Sequence, residues 1–150
     1  MKKFKFQFEA VEKIRKIRQD EAMRFLADAQ KKQQDLEDQK AQLLQEIEKS
    51  WSRRGTFVSN AQSPLEFQIE DEYLNGLKLR VRQTEHAIER AKKFVNKAMI
   101  QYLQARKQTQ IVEKLKENAV AEYRVNYNKH QLKQLDDINT MRNRLKKGAA

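Results

Sequence analysis

One rhythm runs through the second half of the chain. From Leu74, alternating steps of three and four residues land on Leu77, Val81, Thr84, Ile88, Ala91, Val95, Ala98, Tyr102, Ala105, Thr109 and Val112. All twelve positions are apolar, small or threonine, while the residues between them are mostly Lys, Arg, Gln, Glu and Asn. This is the 3.5-residue repeat of a helix that supercoils against a partner helix. A chain built on such a seam encloses no pocket for chemistry and works by touching other proteins.

Composition agrees. Charged residues make up 35%, and only three Gly and one Pro occur in 150 residues. Turns draw on clusters of Gly, Pro, Asn and Asp, so a chain this poor in breakers predicts long helices instead of a compact globule. Cys is absent, which excludes disulfides and thiolate metal sites. The basic start Met1-Lys2-Lys3-Phe4-Lys5-Phe6 is interrupted by Gln7, Glu9 and Glu12 before any signal-like apolar run. No stretch approaches the roughly 20 apolar residues of a membrane span, so a soluble, cytoplasmic protein is expected. The net charge of +11 sits almost wholly on residues 73–150, with 18 basic and 7 acidic side chains. Nucleic acid, anionic lipid, an acidic protein surface or simple solvation are all open as its purpose.

One interruption divides the chain. A helical pattern over 7–54 is predicted to stop at Gly55, with Arg53 and Arg54 at the negative end of the helix dipole. Residues 55–62 read as a loop. Ser63-Pro64-Leu65-Glu66 then reads as a capped helix start, and the second helix is predicted over 64–147. The first helix has a looser stripe of Phe8, Val11, Ile14, Ala22, Phe25, Ala29, Leu36, Leu43, Ile47 and Trp51, with Lys32 and Gln39 where apolar residues belong. A short connection makes the two helices antiparallel. The expectation is therefore one all-α domain over 1–150, an antiparallel coiled-coil hairpin whose longer second helix overhangs at the C-terminal end. Arg54 opposite Pro64 would place Gln7 near Ile111, so pairing is expected to end there. The seam loses its apolar character at the same place, continuing as Lys116, Ala119, Tyr123, Asn126, His130 and Lys133. An arm of roughly 50 Å would then overhang. It carries its own stripe of Leu132, Leu135, Ile138, Met141 and Leu145.

Catalytic chemistry has no foothold. His86 and His130 lie 44 residues apart on one predicted helix. The glycines at 55, 76 and 148 form no phosphate loop. Asp71-Glu72 and Asp136-Asp137 fall on solvated helix, where nothing raises a carboxyl pKa for acid–base work. No enzyme activity, catalytic residue, cofactor, metal or small-molecule substrate is expected.

The opening Phe4-Lys5-Phe6-Gln7-Phe8-Glu9-Ala10-Val11, with Ile14-Arg15, Arg18 and Glu21-Ala22, resembles the N-terminus of the FliJ family. These are small coiled-coil proteins of the bacterial flagellar type III export apparatus. The stretch Val112-Glu113-Lys114-Leu115, then Glu122-Tyr123-Arg124, then Gln131-Leu132-Lys133-Gln134-Leu135-Asp136-Asp137-Ile138 and Arg142 is similar too, and is the more specific block. The resemblance implies a hairpin like the γ stalk of rotary ATPases, with the end carrying both termini entering the hexameric export ATPase FliI. It further implies ATPase stimulation, coupling to the export gate FlhA and escort of export chaperones, at the cytoplasmic face of the inner membrane. Carried onto this chain, it assigns Gln131, Leu135, Asp136 and Arg142, with Arg15 and Arg18, to the ATPase ring. Tyr73, Leu77, Arg80 and Thr84 match its gate-binding face, where Arg80 departs from a more apolar family pattern; Leu77 and Thr84 belong equally to the seam. Other classes stay open: the stalk protein of a virulence secretion system, a basic coiled coil for nucleic acid or anionic membrane, and a self-assembling rod. Against nucleic acid, the chain lacks a dense Lys/Arg run.

Overall fold

A computed structural model describes residues 2–59 and 63–149. It is all-α, with two long helices packed against each other, α1 over Glu9–Ser59 and α2 over Pro64–Gly148. Phe8 opens α1, its carbonyl accepting the Glu12 N–H at 2.9 Å, and Glu9 and Glu12 occupy the positive first turn. Pro64 begins α2, where its missing N–H costs nothing, and the Ser63 carbonyl accepts from the Glu66 N–H at 3.1 Å. Lys146 and Lys147 suit the negative end of α2.

The first helix does not end at Gly55. It continues to Ser59, so Gly55 is a helical residue and the expected loop shrinks from its N-terminal side; residues 60–62 lie outside the described residues. A glycine inside a helix costs only about 1 kcal/mol, too little to end a helix by itself. Arg53 and Arg54 are consequently not in the last turn. They reach across to Glu70 and Asp71 of α2. At the other end, Gln7 and Phe8 form a turn, and the helix starts two residues later than position 7.

By packing, the chain forms two units, Met1–Gln19 with Ala105–Ala150, and Asp20–Gln104. In the second unit the seam of α2 is as the spacing predicts: Leu74, Leu77, Val81, Thr84, Ile88 and Ala98 are buried, and Ala91, Val95 and Tyr102 half-buried. Its tightest point is Leu26 and Ala29 of α1 on Ala98, where small side chains let the helix axes approach, with Val95 and Tyr102 packed around them. Near the chain reversal the seam turns polar. Ser50, fully buried, donates from its Oγ to Glu70 Oε2 at 3.0 Å.

The inward face of α1 is not the apolar stripe expected. Across the chain it runs Glu12, Arg15, Gln19, Ala22, Leu26, Ala29, Gln33, Leu36, Lys40, Leu43, Ile47, Ser50 and Arg54, all buried or half-buried at strict three–four spacing. Phe8, Val11, Ile14, Phe25 and Trp51 are exposed instead. Polar side chains satisfy themselves within the pairing, as Lys40 does with Glu85 at 3.1 Å. The apolar residues one position aside flank the seam, as Phe25 does beside Phe94 with ring centroids 5.1 Å apart.

In the first unit, pairing runs on past Ile111 to Tyr123. Thr109 donates to the Arg15 carbonyl at 3.2 Å, and the Arg15 guanidinium donates to Gln108. Lys116 bonds both carboxylate oxygens of Glu12, at 3.0 and 3.2 Å. Ahead of α1, residues 2–6 have no regular secondary structure and Gln7–Phe8 form a turn, and this segment lies along α2. Phe6 is buried, Phe4 stacks at a tilt on Tyr123 at 5.4 Å, and the Tyr123 hydroxyl donates to the Lys2 carbonyl at 2.9 Å. Lys116, Ala119 and Tyr123 are accordingly half-buried seam positions, and the loss of pairing falls only at Asn126, His130 and Lys133, which are exposed. Every residue over 124–149 is exposed, an arm of about 39 Å at helical rise.

Candidate partner-binding surfaces

In the first unit, the arm carries Gln131, Leu135, Asp136 and Arg142, all exposed. Gln131 is positioned by donating its side-chain amide to the Tyr127 hydroxyl at 2.8 Å, and Tyr127 stacks on Tyr123 at 6.1 Å. Leu132, Leu135, Ile138, Met141 and Leu145 are each at least half exposed, at steps of three and four. Such a stripe is the pattern a helix shows where it packs against another apolar surface.

Arg15 and Arg18 are placed differently. Arg15 is half-buried and spent on Gln108 within the pairing, whereas Arg18 is exposed. Arg15 sits beside Thr109, 22 residues short of Gln131 on α2, a distance of about 33 Å along the helix. The six residues therefore do not form one cluster.

Charge in this unit centres on Glu12, whose side chain is only 7% exposed. Hydrogen bonds from Lys116 and then Lys16 hold its carboxyl below the usual carboxylate range, and the same contact with Glu12 raises the Lys16 ammonium above its ordinary value. Nothing in the spacing of Glu12 and Lys116 announces this pair. The strap that folds over Tyr123 did leave a trace, since Phe4, Phe6 and Phe8 alternate with Lys5 and Gln7 at the period of extended chain.

In the second unit, Leu77 is 4% and Thr84 7% exposed. Leu77 is held in the seam, and Thr84 turns its hydroxyl back to the Arg80 carbonyl at 2.8 Å. Only Tyr73 and Arg80 of the four gate candidates meet solvent. Tyr73 lies under the Arg53 guanidinium at 5.9 Å. Trp51, half exposed, lies between Arg54 at 5.3 Å and Lys78 at 5.7 Å. Trp, Tyr and Arg in exposed clusters are the residue types that anchor protein interfaces.

The family described as "Flagellar FliJ protein" matches residues 4–148. The chain belongs to the FliJ family. It is thus a component of the flagellar type III export apparatus, in a family that is not enzymatic, and the flagellar description sets aside a virulence-system assignment. No curated protein and no solved structure matches the chain significantly. The exposed groups described above lie on helix surfaces, the arm in one unit and Trp51 and Tyr73 in the other. Among the described residues no helix is long and apolar enough to cross a membrane, and no group of His, Asp and Glu is arranged to hold a metal ion.

Proposed function

We propose that this FliJ-family protein stimulates the hexameric export ATPase FliI with its C-terminal arm, links the ATPase to the gate FlhA through the surface around Tyr73 and Arg80, and escorts export chaperones. It acts in the cytoplasm at the inner-membrane face of the flagellar base, peripheral to the membrane through these partners. The observation that carries the proposal is the family match over 4–148 together with an arm, residues 124–149, that buries nothing on its own chain. A helix that long is marginal by itself, so its apolar stripe makes sense as one half of an interface. Gln131, Leu135, Asp136 and Arg142 are its contact residues in the ring, with Arg18 a further contact. Arg15 acts by holding Gln108 and Thr109. Leu77 and Thr84 support the gate surface from within the seam.

The test is ATP hydrolysis by the cognate FliI with and without this protein. The full chain is expected to raise the rate, and the chain lacking residues 131–150 to leave it unchanged. A rate indifferent to both proteins refutes the proposal.

A further inference from the structure

In an antiparallel pair the positions beside the seam are ordinarily charged on both sides. The first unit breaks that rule on one side. There α1 presents Val11 and Ile14, and α2 presents Ile111 and Leu115, between 39% and 57% exposed. The Arg15–Thr109 and Glu12–Lys116 bonds fix the register that sets these four side by side. Together they expose on the order of 400 Å² of apolar surface, the size of the largest patch on a typical monomer, which is often a functional one. The opposite side of the same unit carries Lys16, Arg106 and Glu113, as a solvated flank should. Two helices with apolar residues on a shared flank leave a groove shaped for a third helix of about two turns.

The rim of this groove is cationic. Arg18 and Lys107 have no ion-pair partner among the described residues, and Lys114 has only an exposed contact with Glu117 at 3.4 Å. A second copy would bring these cations against its own, on a chain of net charge +11. We infer that the Val11–Ile14–Ile111–Leu115 groove binds an amphipathic helix of another protein whose apolar stripe is bordered by Asp and Glu. Arg18, assigned above to the ATPase ring, lies at one edge; the groove itself does not rest on that assignment, nor on the arm.

The probe is a fluorescein-labelled synthetic helix with leucines at seam spacing and glutamates beside them, titrated with the full chain at pH 7 and followed by anisotropy. Its counterpart carries lysine in place of every glutamate. The acidic helix is expected to bind and the basic one to fail. Ile111→Ser with Leu115→Ser, and separately Ile14→Ser, are expected to weaken binding by about tenfold or more while helix content by circular dichroism is kept, since these side chains are exposed. Arg18→Glu with Lys107→Glu is expected to do the same. Removal of residues 131–150 is expected to leave binding within about twofold, which separates this groove from the arm. Three results overturn the inference: equal binding of both helices, loss on arm removal but not in the groove variants, or a dimer in sedimentation that Ile111→Ser dissolves, which would make the occupant a second copy.

Discussion

Single side chains set how closely the two helices approach. Ala98 is wholly buried against Leu26 and Ala29, so there is no room for a larger residue. Ala98→Leu is expected to destabilise the fold by roughly 1–3 kcal/mol in urea unfolding, because overpacking forces the axes apart. Gly76 offers the opposite case. It lies inside α2, and a Cβ built on it meets nothing within 4 Å. Gly76→Ala is expected to stabilise by about 0.5–1 kcal/mol through the entropy of the unfolded chain; an unchanged denaturation midpoint would disprove this. At this scale the sequence was legible for α2 and misleading for α1. The α2 seam is apolar, so hydrophobic spacing finds it. The α1 seam holds Glu12, Arg15, Gln19, Gln33, Lys40 and Ser50, whose burial depends on partners such as Glu70, Glu85 and Lys116 that no spacing rule within one helix supplies. The double membership of Leu77 and Thr84 was legible too, and their burial resolves it in favour of the seam.

At the level of elements, two errors of extent have one cause. Taking Gly55 as a stop shortened α1 by five residues, which shifted the register and ended the pairing at Ile111 instead of Tyr123. The clasp at that end centres on Glu12, whose carboxyl is held low by Lys116 and Lys16. A lowered folded pKa contributes stability above the ordinary carboxylate range, and that contribution disappears as pH falls through the folded value. Protection factors over residues 112–123, taken against the intrinsic exchange rate at each pH, are therefore expected to fall on acidification below the usual carboxylate range. In Glu12→Gln the protection factors should already be low at neutral pH and lack that acid step. Equal acid steps in both proteins would assign the effect to other carboxylates. Deleting residues 2–7 removes the burial of Phe6 and the ring of Phe4 on Tyr123. It should expose Tyr123, read as loss of protection there while residues 74–102 are unaffected.

The molecule as a whole separates what holds it together from what it offers to others. Residues 124–149 bury no side chain, yet they carry seven of the basic residues against two acidic ones and the stripe from Leu132 to Leu145. Their helical state depends on continuity with the paired part of α2, since nucleation is costly and propagation is not. A segment that contributes nothing to its own fold, and to which we assign the ATPase contact, gives a clean dissociation. Removing residues 131–150 is expected to shift the thermal midpoint of the remaining helices by less than about 2 °C, because no buried area is lost. Calorimetry on the two proteins at several concentrations checks this alongside the ATPase assay. A larger fall that grows with concentration would show the arm packed on a second copy, and the stripe would then belong to self-assembly. An unchanged midpoint together with lost ATPase stimulation would place the arm's entire contribution in the partner it meets.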